Sequence, residues 1–218
     1  MPLAIFDLDN TLLGGDSDHA WGQFACEKNL VDADVFSRAN DAFYADYQDG
    51  RLDIDAYLRH ALAPIAGMTL AEADNWHRQF MQEKIAAMML PKAAALVQRH
   101  RKAGDDLLII TATNRFIAAP IARELGVTEL LACDVEIDAG RYTGAPEGIP
   151  TYAEGKVLRL REWLDANHLT LDGSWAYSDS FNDIPLLEAA EHAVAVDPDA
   201  RLERHAKAMG WEVISLRS

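Results

Sequence analysis

Two short acidic clusters stand out in the chain. Asp7-Leu8-Asp9 places two carboxylates two residues apart, followed by Asn10 and Thr11, and Asp179-Ser180-Phe181-Asn182-Asp183 places two more four residues apart. Either cluster alone is what a turn or a helix N-terminus attracts, because the helix dipole favours acids there. Brought to one place, these carboxylates would repel one another strongly unless a cation lay between them. An all-oxygen donor set selects a hard divalent ion, and magnesium suits a site with few carboxylates that keeps some of its waters.

The surrounding pattern says what must position them. Short apolar runs precede the polar residues: LAIF before Asp7, LLII before Thr111, WAY before Ser178-Asp179 and AVAV before Asp197. Each is too short for a helix and reads as a strand buried on both faces. Helical patterns lie between them at 92–103 closed by Gly104, 115–125 closed by Gly126, 155–167, 183–190, and 199–209 closed by Gly210. Glycine just past a helix end supplies the left-handed residue that stops it. Strands alternating with helices predict an α/β fold, a doubly wound parallel sheet of Rossmann-like type. Ligands of such sheets bind at the carboxyl ends of the strands, so Asp7, Thr111 and Asp179 are expected at one edge. A hairpin is expected over 135–143, with Ala139-Gly140 at its tip.

Residues from about 15 to 90 break this rhythm, with several amphipathic helical stretches and no convincing strand. Trp21, Phe24 and Ala25 suggest one apolar face, and Phe36, Phe43, Tyr44 and Tyr47 another. Thr69-Leu-Ala-Glu72 has the spacing of a capping box and predicts a helix running through Trp76 and Phe80. An α-helical insertion after the first strand reads as a cap over the site. The expected organisation is therefore a core domain of residues 1–14 and 91–218 and a helical cap domain of residues 15–90. Trp21, Trp76, Trp163, Trp175 and Trp211 read mostly as core residues, with Trp21 also a candidate to line a pocket under that cap.

Composition excludes several classes of partner. The 218-residue chain is 50% hydrophobic and 25% charged, with a formal net charge of −15. Such a field repels a nucleic-acid backbone, so no nucleic acid is expected as partner, and a small anionic ligand needs a local cation. Cys26 and Cys133 are far apart and form no Cys-x-x-Cys pair, so both read as reduced, packed residues. The apolar stretch before Asp7 is too short for an export signal, and no window approaches the ~20 apolar residues of a membrane span. No membrane association and a cytoplasmic location are expected. The seven histidines are scattered and read as surface or half-buried residues, and His100-Arg101-Lys102 reads as a solvated helix end.

These motifs resemble those of the haloacid-dehalogenase superfamily of phosphohydrolases, in its phosphoserine-phosphatase-like branch with a helical cap. LAIFDLDNT is similar to the first family motif through Asp7, Asp9 and Thr11, and LLIITATN to the second through Thr111. Lys156 in YAEGKV is similar to the third, and YSDSFNDIPLL to the fourth through Asp179, Asn182 and Asp183. The resemblance spans nearly the whole chain, with the cap matching mainly in position and helical character.

What the resemblance implies is a magnesium-dependent phosphatase acting on a small-molecule phosphomonoester. By it, Asp7 is the nucleophile that becomes an aspartyl-phosphate, and Asp9 is the acid and then the base. Magnesium would be held by the Asp7 and Asp179 carboxylates and the backbone carbonyl of Asp9, with Asp183 behind them orienting Lys156 or a water. Thr111, the neighbouring Ala112 amide, Lys156 and Asn182 would hold the phosphoryl oxygens. Asp16 falls where phosphoserine phosphatases carry a glutamate that reads the substrate's amino group. The arginine that grips the serine carboxylate has no match: Ala61 occupies its position, with Arg59 nearby. That departure opens the alternative of histidinol phosphate, a substrate with an amino group and an imidazole but no carboxylate, for which Asp16, Asp18 and His19 form an acid-rich entrance. A phosphotransferase sharing the covalent intermediate is a third possibility, while Asp9 argues against a true dehalogenase. Oligomeric state is not legible.

Overall fold

In the computed structural model, which describes residues 2–217, the chain forms a seven-stranded sheet in the order β4-β3-β2-β1-β5-β6-β7. The strands are β1 (Leu3–Phe6), β2 (Asp106–Asn114), β3 (Glu129–Asp138), β4 (Arg141–Glu147), β5 (Trp175–Ser178), β6 (His192–Val196) and β7 (Glu212–Ile214). All neighbours pair in parallel except β3 and β4, the expected hairpin. Its tip, Ala139 and Gly140, has φ of 47° and 76°, the pair of positive values a tight two-residue turn requires.

Burial on both faces follows from the two-residue period of a strand. Leu3 and Ile5 join Leu108, Ile110, Ala176 and Ala195 in a cluster covered by α8 (Glu154–Asn167), α9 (Ile184–Ala189) and α10 (Ala200–Met209). Ala4 and Phe6 point the other way, into a cluster with Ile109, Tyr177, α6 (Pro91–Ala103) and α7 (Arg115–Glu124). Helix ends fall where the sequence placed them: Gly104 and Gly210 are left-handed caps, and Asp199 caps α10.

Between β1 and β2 lie α1 (Ser17–Glu27), α2 (Ala33–Asp49), α3 (Ile54–Leu62) and α4 (Leu70–Phe80), the last running through a π-helical turn, Met81–Ile85, into α5 (Ala86–Met88). Asp16, Asp32 and Asp53 cap the first three helices, and Thr69 with Glu72 forms the capping box that opens α4. The two ends of this insertion meet, with Leu13 bridging Met89 and Gly14 N donating to Met88 O at 2.8 Å. The hairpin supports it from the side: Gly67 N donates to Tyr142 O and Tyr142 N to Met68 O, at 2.8 and 3.0 Å. Among the described residues no helix is long and apolar enough to cross a membrane.

Three readings of the sequence need correction. Strand β2 does not end at Thr111 but runs on to Asn114, because β3 continues to pair with it across a register shift. Trp21 lines no pocket; it is 1% exposed and packs on Phe24, Phe80 and Phe116, since the insertion shares the sheet's own apolar core. His77 and His100 are buried, at 3% and 5% exposure. His100 bonds Asp105 and the Tyr177 hydroxyl, both at 2.7 Å, so it leaves the solvated helix end to Arg101 and Lys102.

Candidate active site

Strand β1 sits between β2 and β5, so the carboxyl ends of all three open on one crevice, the place where such sheets bind ligands. Asp7 follows β1 directly, and its amide donates to Tyr177 O at 2.9 Å, which ties its height to β5. The next turn of chain, with Asn10 in a left-handed conformation (φ 57°), swings Thr11 inward. Thr11 Oγ1 lies 3.3 Å from Asp7 Oδ2 and 3.0 Å from Asp179 Oδ1, and it accepts from the Asp179 amide at 3.0 Å. One hydroxyl proton cannot serve both carboxylates fully, so two acids from opposite ends of the chain converge on a single donor.

The other oxygen of Asp7 meets the buried cation. Lys156 Nζ donates to Asp7 Oδ1 and to Asp183 Oδ2, each at 2.7 Å, and the Ser178 hydroxyl reaches the same Asp183 oxygen at 2.7 Å. Lys156 is driven inward by the tight turn that opens α8. A Cβ on Gly155 would stand 2.1 Å from the Pro150 carbonyl oxygen, so the backbone can double back here only with glycine.

Asp9 points away from Asp7's partners. Its Oδ1 accepts from Ser17 N and its Oδ2 from Thr113 Oγ1, both at 2.6 Å. The Thr111 hydroxyl accepts from Thr113 N at 3.1 Å and its carbonyl from Thr151 Oγ1 at 2.6 Å. Asp16, the cap of α1, accepts from His19 N at 2.8 Å. Asn182 is half-buried near Tyr152, whose hydroxyl donates to its Oδ1 at 3.5 Å, while its buried Nδ2 has no partner.

A cavity lies between these residues and the insertion. Asp7, Asp9, Asp16, Asp18, Thr111 and Ala112 stand on its wall, faced by Phe43, Tyr44, Tyr47 and Tyr57 from α2 and α3. Among the described residues no lysine or arginine lines it, and Arg59 is exposed elsewhere. Lys156, Asp179, Asn182 and Asp183 do not line this cavity, and Lys156 reaches it through its bond to Asp7 Oδ1. The insertion is seated on the loop after β5: the Tyr47 hydroxyl reaches Ser180 Oγ at 3.4 Å, and Phe181 lies against Gly50 under the Arg201 guanidinium.

Electrostatics follow from packing so many acids together. Burial pushes the Asp7 carboxyl up to about 7, against the pull of Lys156 and with a push from Asp183. Burial, then the Asp16 charge, pushes Asp9 up to about 6, while Ser17 and Thr113 hold it down. Asp179 is driven well above the ordinary range by burial and by the Asp7 and Asp183 charges. Burial alone would lower the Lys156 ammonium, but Asp183 and Asp7 outweigh it and keep the lysine charged. A carboxyl near 6 in a cavity is the state a proton donor needs at neutral pH.

The donor set suits a hard cation. Among the described residues no three His, Cys, Asp or Glu side chains cluster at metal-binding distance. The buried Asp7 and the half-buried Asp179 carboxylates instead repel each other with only a shared hydroxyl between them. Oxygen donors in so small a number fit magnesium, which retains waters, better than zinc or calcium.

Thr113, Ser17 and Tyr57 join the site without having been singled out in the sequence, while Asp18 and His19, expected at its entrance, do line the cavity. Thr113 had a signal: two residues past Thr111 on one strand, it must share its face.

Comparison with known proteins agrees with this geometry. Residues 4–188 match the family described as haloacid dehalogenase-like hydrolase. A histidinol-phosphatase of Neisseria meningitidis serogroup C is 47% identical over 219 residues, covering 99% of this chain and 99% of its own. A phosphoserine phosphatase of Mycobacterium tuberculosis is 36% identical over 217 residues, covering 98% of this chain and 70% of its own. Among solved structures, a Bordetella pertussis protein of unknown function superposes with a TM-score of 0.92 at 41% identity, over 99% of this chain and 98% of that one. A substrate-bound phosphoserine phosphatase shares the fold, with a TM-score of 0.72 at 15% identity, over 99% of this chain and 93% of that one. An acidic crevice at the strand ends, a family match across most of the chain and relatives named as phosphatases together place the protein among the haloacid dehalogenase-like hydrolases, as a phosphatase of the phosphoserine-phosphatase-like branch.

Proposed function

We propose that the protein is a magnesium-dependent phosphatase working through a phosphorylated Asp7, and that its substrate is histidinol phosphate. The observation that carries the choice of substrate is the wall above Asp7: acidic and aromatic, with no lysine or arginine on it. A serine carboxylate entering that cavity would lose its hydration and meet only like charge. An ammonium group and an imidazole would find acids for their protons and ring faces for their apolar surface. The Neisseria relative named as a histidinol-phosphatase supports the same reading.

The residues divide the reaction between them. An Asp7 oxygen attacks phosphorus while the bond to the leaving oxygen breaks, and Asp9 delivers its proton to that oxygen. Asp9, now a carboxylate, takes a proton from water, which attacks the phosphoryl group and frees Asp7. The Thr111 hydroxyl, the Ala112 amide and Asn182 hold the phosphoryl oxygens, and the Lys156 ammonium balances their charge. A magnesium ion held by Asp7, Asp179 and the Asp9 carbonyl would neutralise the carboxylates and draw charge from the phosphoryl group. Charge stabilisation and positioning account for most of the acceleration in phosphoryl transfer, so the buried cations matter as much as the nucleophile. The insertion, residues 15–90, acts as the cap that supplies the leaving-group wall.

A panel of phosphomonoesters with added magnesium tests this. The expected order is histidinol phosphate well above phosphoserine, with free phosphate released and all turnover lost in Asp7→Asn. A clear preference for phosphoserine would sink the substrate, and transfer to an added alcohol in place of phosphate release would make the enzyme a phosphotransferase.

A further inference from the structure

Asp18 has no part in the reaction as described, yet it is the most anomalous acid in the cavity. It lies in the first turn of α1, 4% exposed, on the cavity wall. Its Oδ1 receives one long bond, 3.4 Å from Asn114 Nδ2, and its Oδ2 is buried with no partner at all. The Tyr57 phenol stands close enough to this carboxyl to hydrogen-bond it and hold its proton affinity down, but it closes no bond of full hydrogen-bond geometry to Oδ2. A buried carboxylate oxygen left unpaired costs free energy that a surface acid would not incur. The helix dipole does not explain it, since an exposed first-turn acid serves the dipole as well. Nor does Asn114 need it: that residue's Oδ1 already caps α7 by accepting from Ile117 N at 3.2 Å.

An unpaired acceptor on the wall of a cavity that, among the described residues, no lysine or arginine lines is a place for a ligand's cation. We infer that Asp18 is a specificity-determining residue, accepting an N–H from a positively charged nitrogen of the leaving alcohol through Oδ2. Tyr57 and Phe43 flank the same space and supply ring faces for a flat, charged heterocycle. Asp16 and Asp18 together then suit a leaving group with two basic groups, an amine and a heterocycle. This deepens the histidinol phosphate reading and rests on it.

The test uses the full chain with magnesium, histidinol as an inhibitor of p-nitrophenyl phosphate hydrolysis, and histidinol phosphate as a competing substrate. In Asp18→Asn, inhibition by histidinol should weaken at least tenfold. The ratio of kcat/KM for histidinol phosphate to that for p-nitrophenyl phosphate should fall by a similar factor, through KM. If both substrates suffer alike and histidinol inhibits as before, Asp18 is structural and the inference is overturned, while the substrate reading stands. If the wild type neither prefers histidinol phosphate nor is inhibited by histidinol, the substrate reading fails and takes this inference with it. Should Asp18→Asn not fold, the wild type still decides. Histidine, which adds a carboxylate to the same amine and ring, should inhibit at least tenfold more weakly than histidinol, and equal inhibition overturns the cation subsite.

Discussion

The Thr113 hydroxyl donates to Asp9 Oδ2 over 2.6 Å, joining the second strand of the sheet to the loop after the first. With Ser17 N on Oδ1 at 2.6 Å, it fixes the rotamer of the residue proposed to move the proton. A hydrogen bond to a charged group contributes about 1.5–3 kcal/mol. Thr113→Val should therefore lower kcat roughly ten- to hundredfold with little change in KM, and Thr113→Ser should restore most of it. Steady-state kinetics on both variants would decide, and an unchanged kcat in Thr113→Val would remove Thr113 from the site.

Much of this site was legible in the sequence because strand ends are marked by chemistry. Asp7, Thr111 and Asp179 each follow an apolar run, and a parallel sheet leaves them no place but one edge. The insertion hid more. Tyr57 and Asp18 share a cavity only because α3 folds back over α1, a packing that amphipathic pattern alone does not order. His100 was misread because its neighbours are basic, although Ala93, Leu96, Val97 and His100 repeat at helical spacing and define a buried face. Nothing local announced that β3 would reach back to Glu129, since its first residues owe their extension to pairing with β2.

Lys156 holds two buried acids apart. Its ammonium lies 2.7 Å from both Asp7 and Asp183, and all three side chains are less than a tenth exposed. Removing one partner of a buried ion pair costs about 3–5 kcal/mol, because an uncompensated charge remains. Lys156→Met should abolish turnover and also lower the free energy of unfolding by that amount, read as a lower denaturant midpoint. A variant that is inactive yet as stable as the wild type would mean that the triad relaxes without its cation.

Asp179 separates metal binding from folding. It is a half-buried carboxylate whose proton affinity is raised by desolvation and by the Asp7 charge, and Asn can accept the Thr11 bond in its place. Asp179→Asn should thus be more stable than the wild type in the presence of a chelator. With magnesium at a hundred times its dissociation constant, the wild type should gain about 2.7 kcal/mol, and the variant far less. Thermal melts with and without magnesium read both effects, and equal magnesium stabilisation of the two proteins would exclude Asp179 as a ligand.

His77 gives the fold a pH limit unconnected with catalysis. Its Nε2–H donates to Ile117 O at 3.1 Å, and its ring packs against Phe80 and Phe116. Burial lowers it from 6.5 to about 4, with Ile117 and Asp74 opposing the shift and Arg123 adding to it. The unfolded chain therefore binds the proton more readily than the native one between these values. Stability contributed by the neutral ring is complete above pH 6.5 and is lost progressively as pH falls toward 4. At 1.36 kcal/mol per pKa unit, the loss is about 3 kcal/mol. His77→Gln keeps a donor for Ile117 but cannot take up a proton. The stability difference between wild type and variant should shrink by that amount from pH 7 to pH 4, measured by urea unfolding (roughly the window set by the two pKa values). Parallel pH profiles for the two proteins would show that the ring titrates as freely in the fold as outside it.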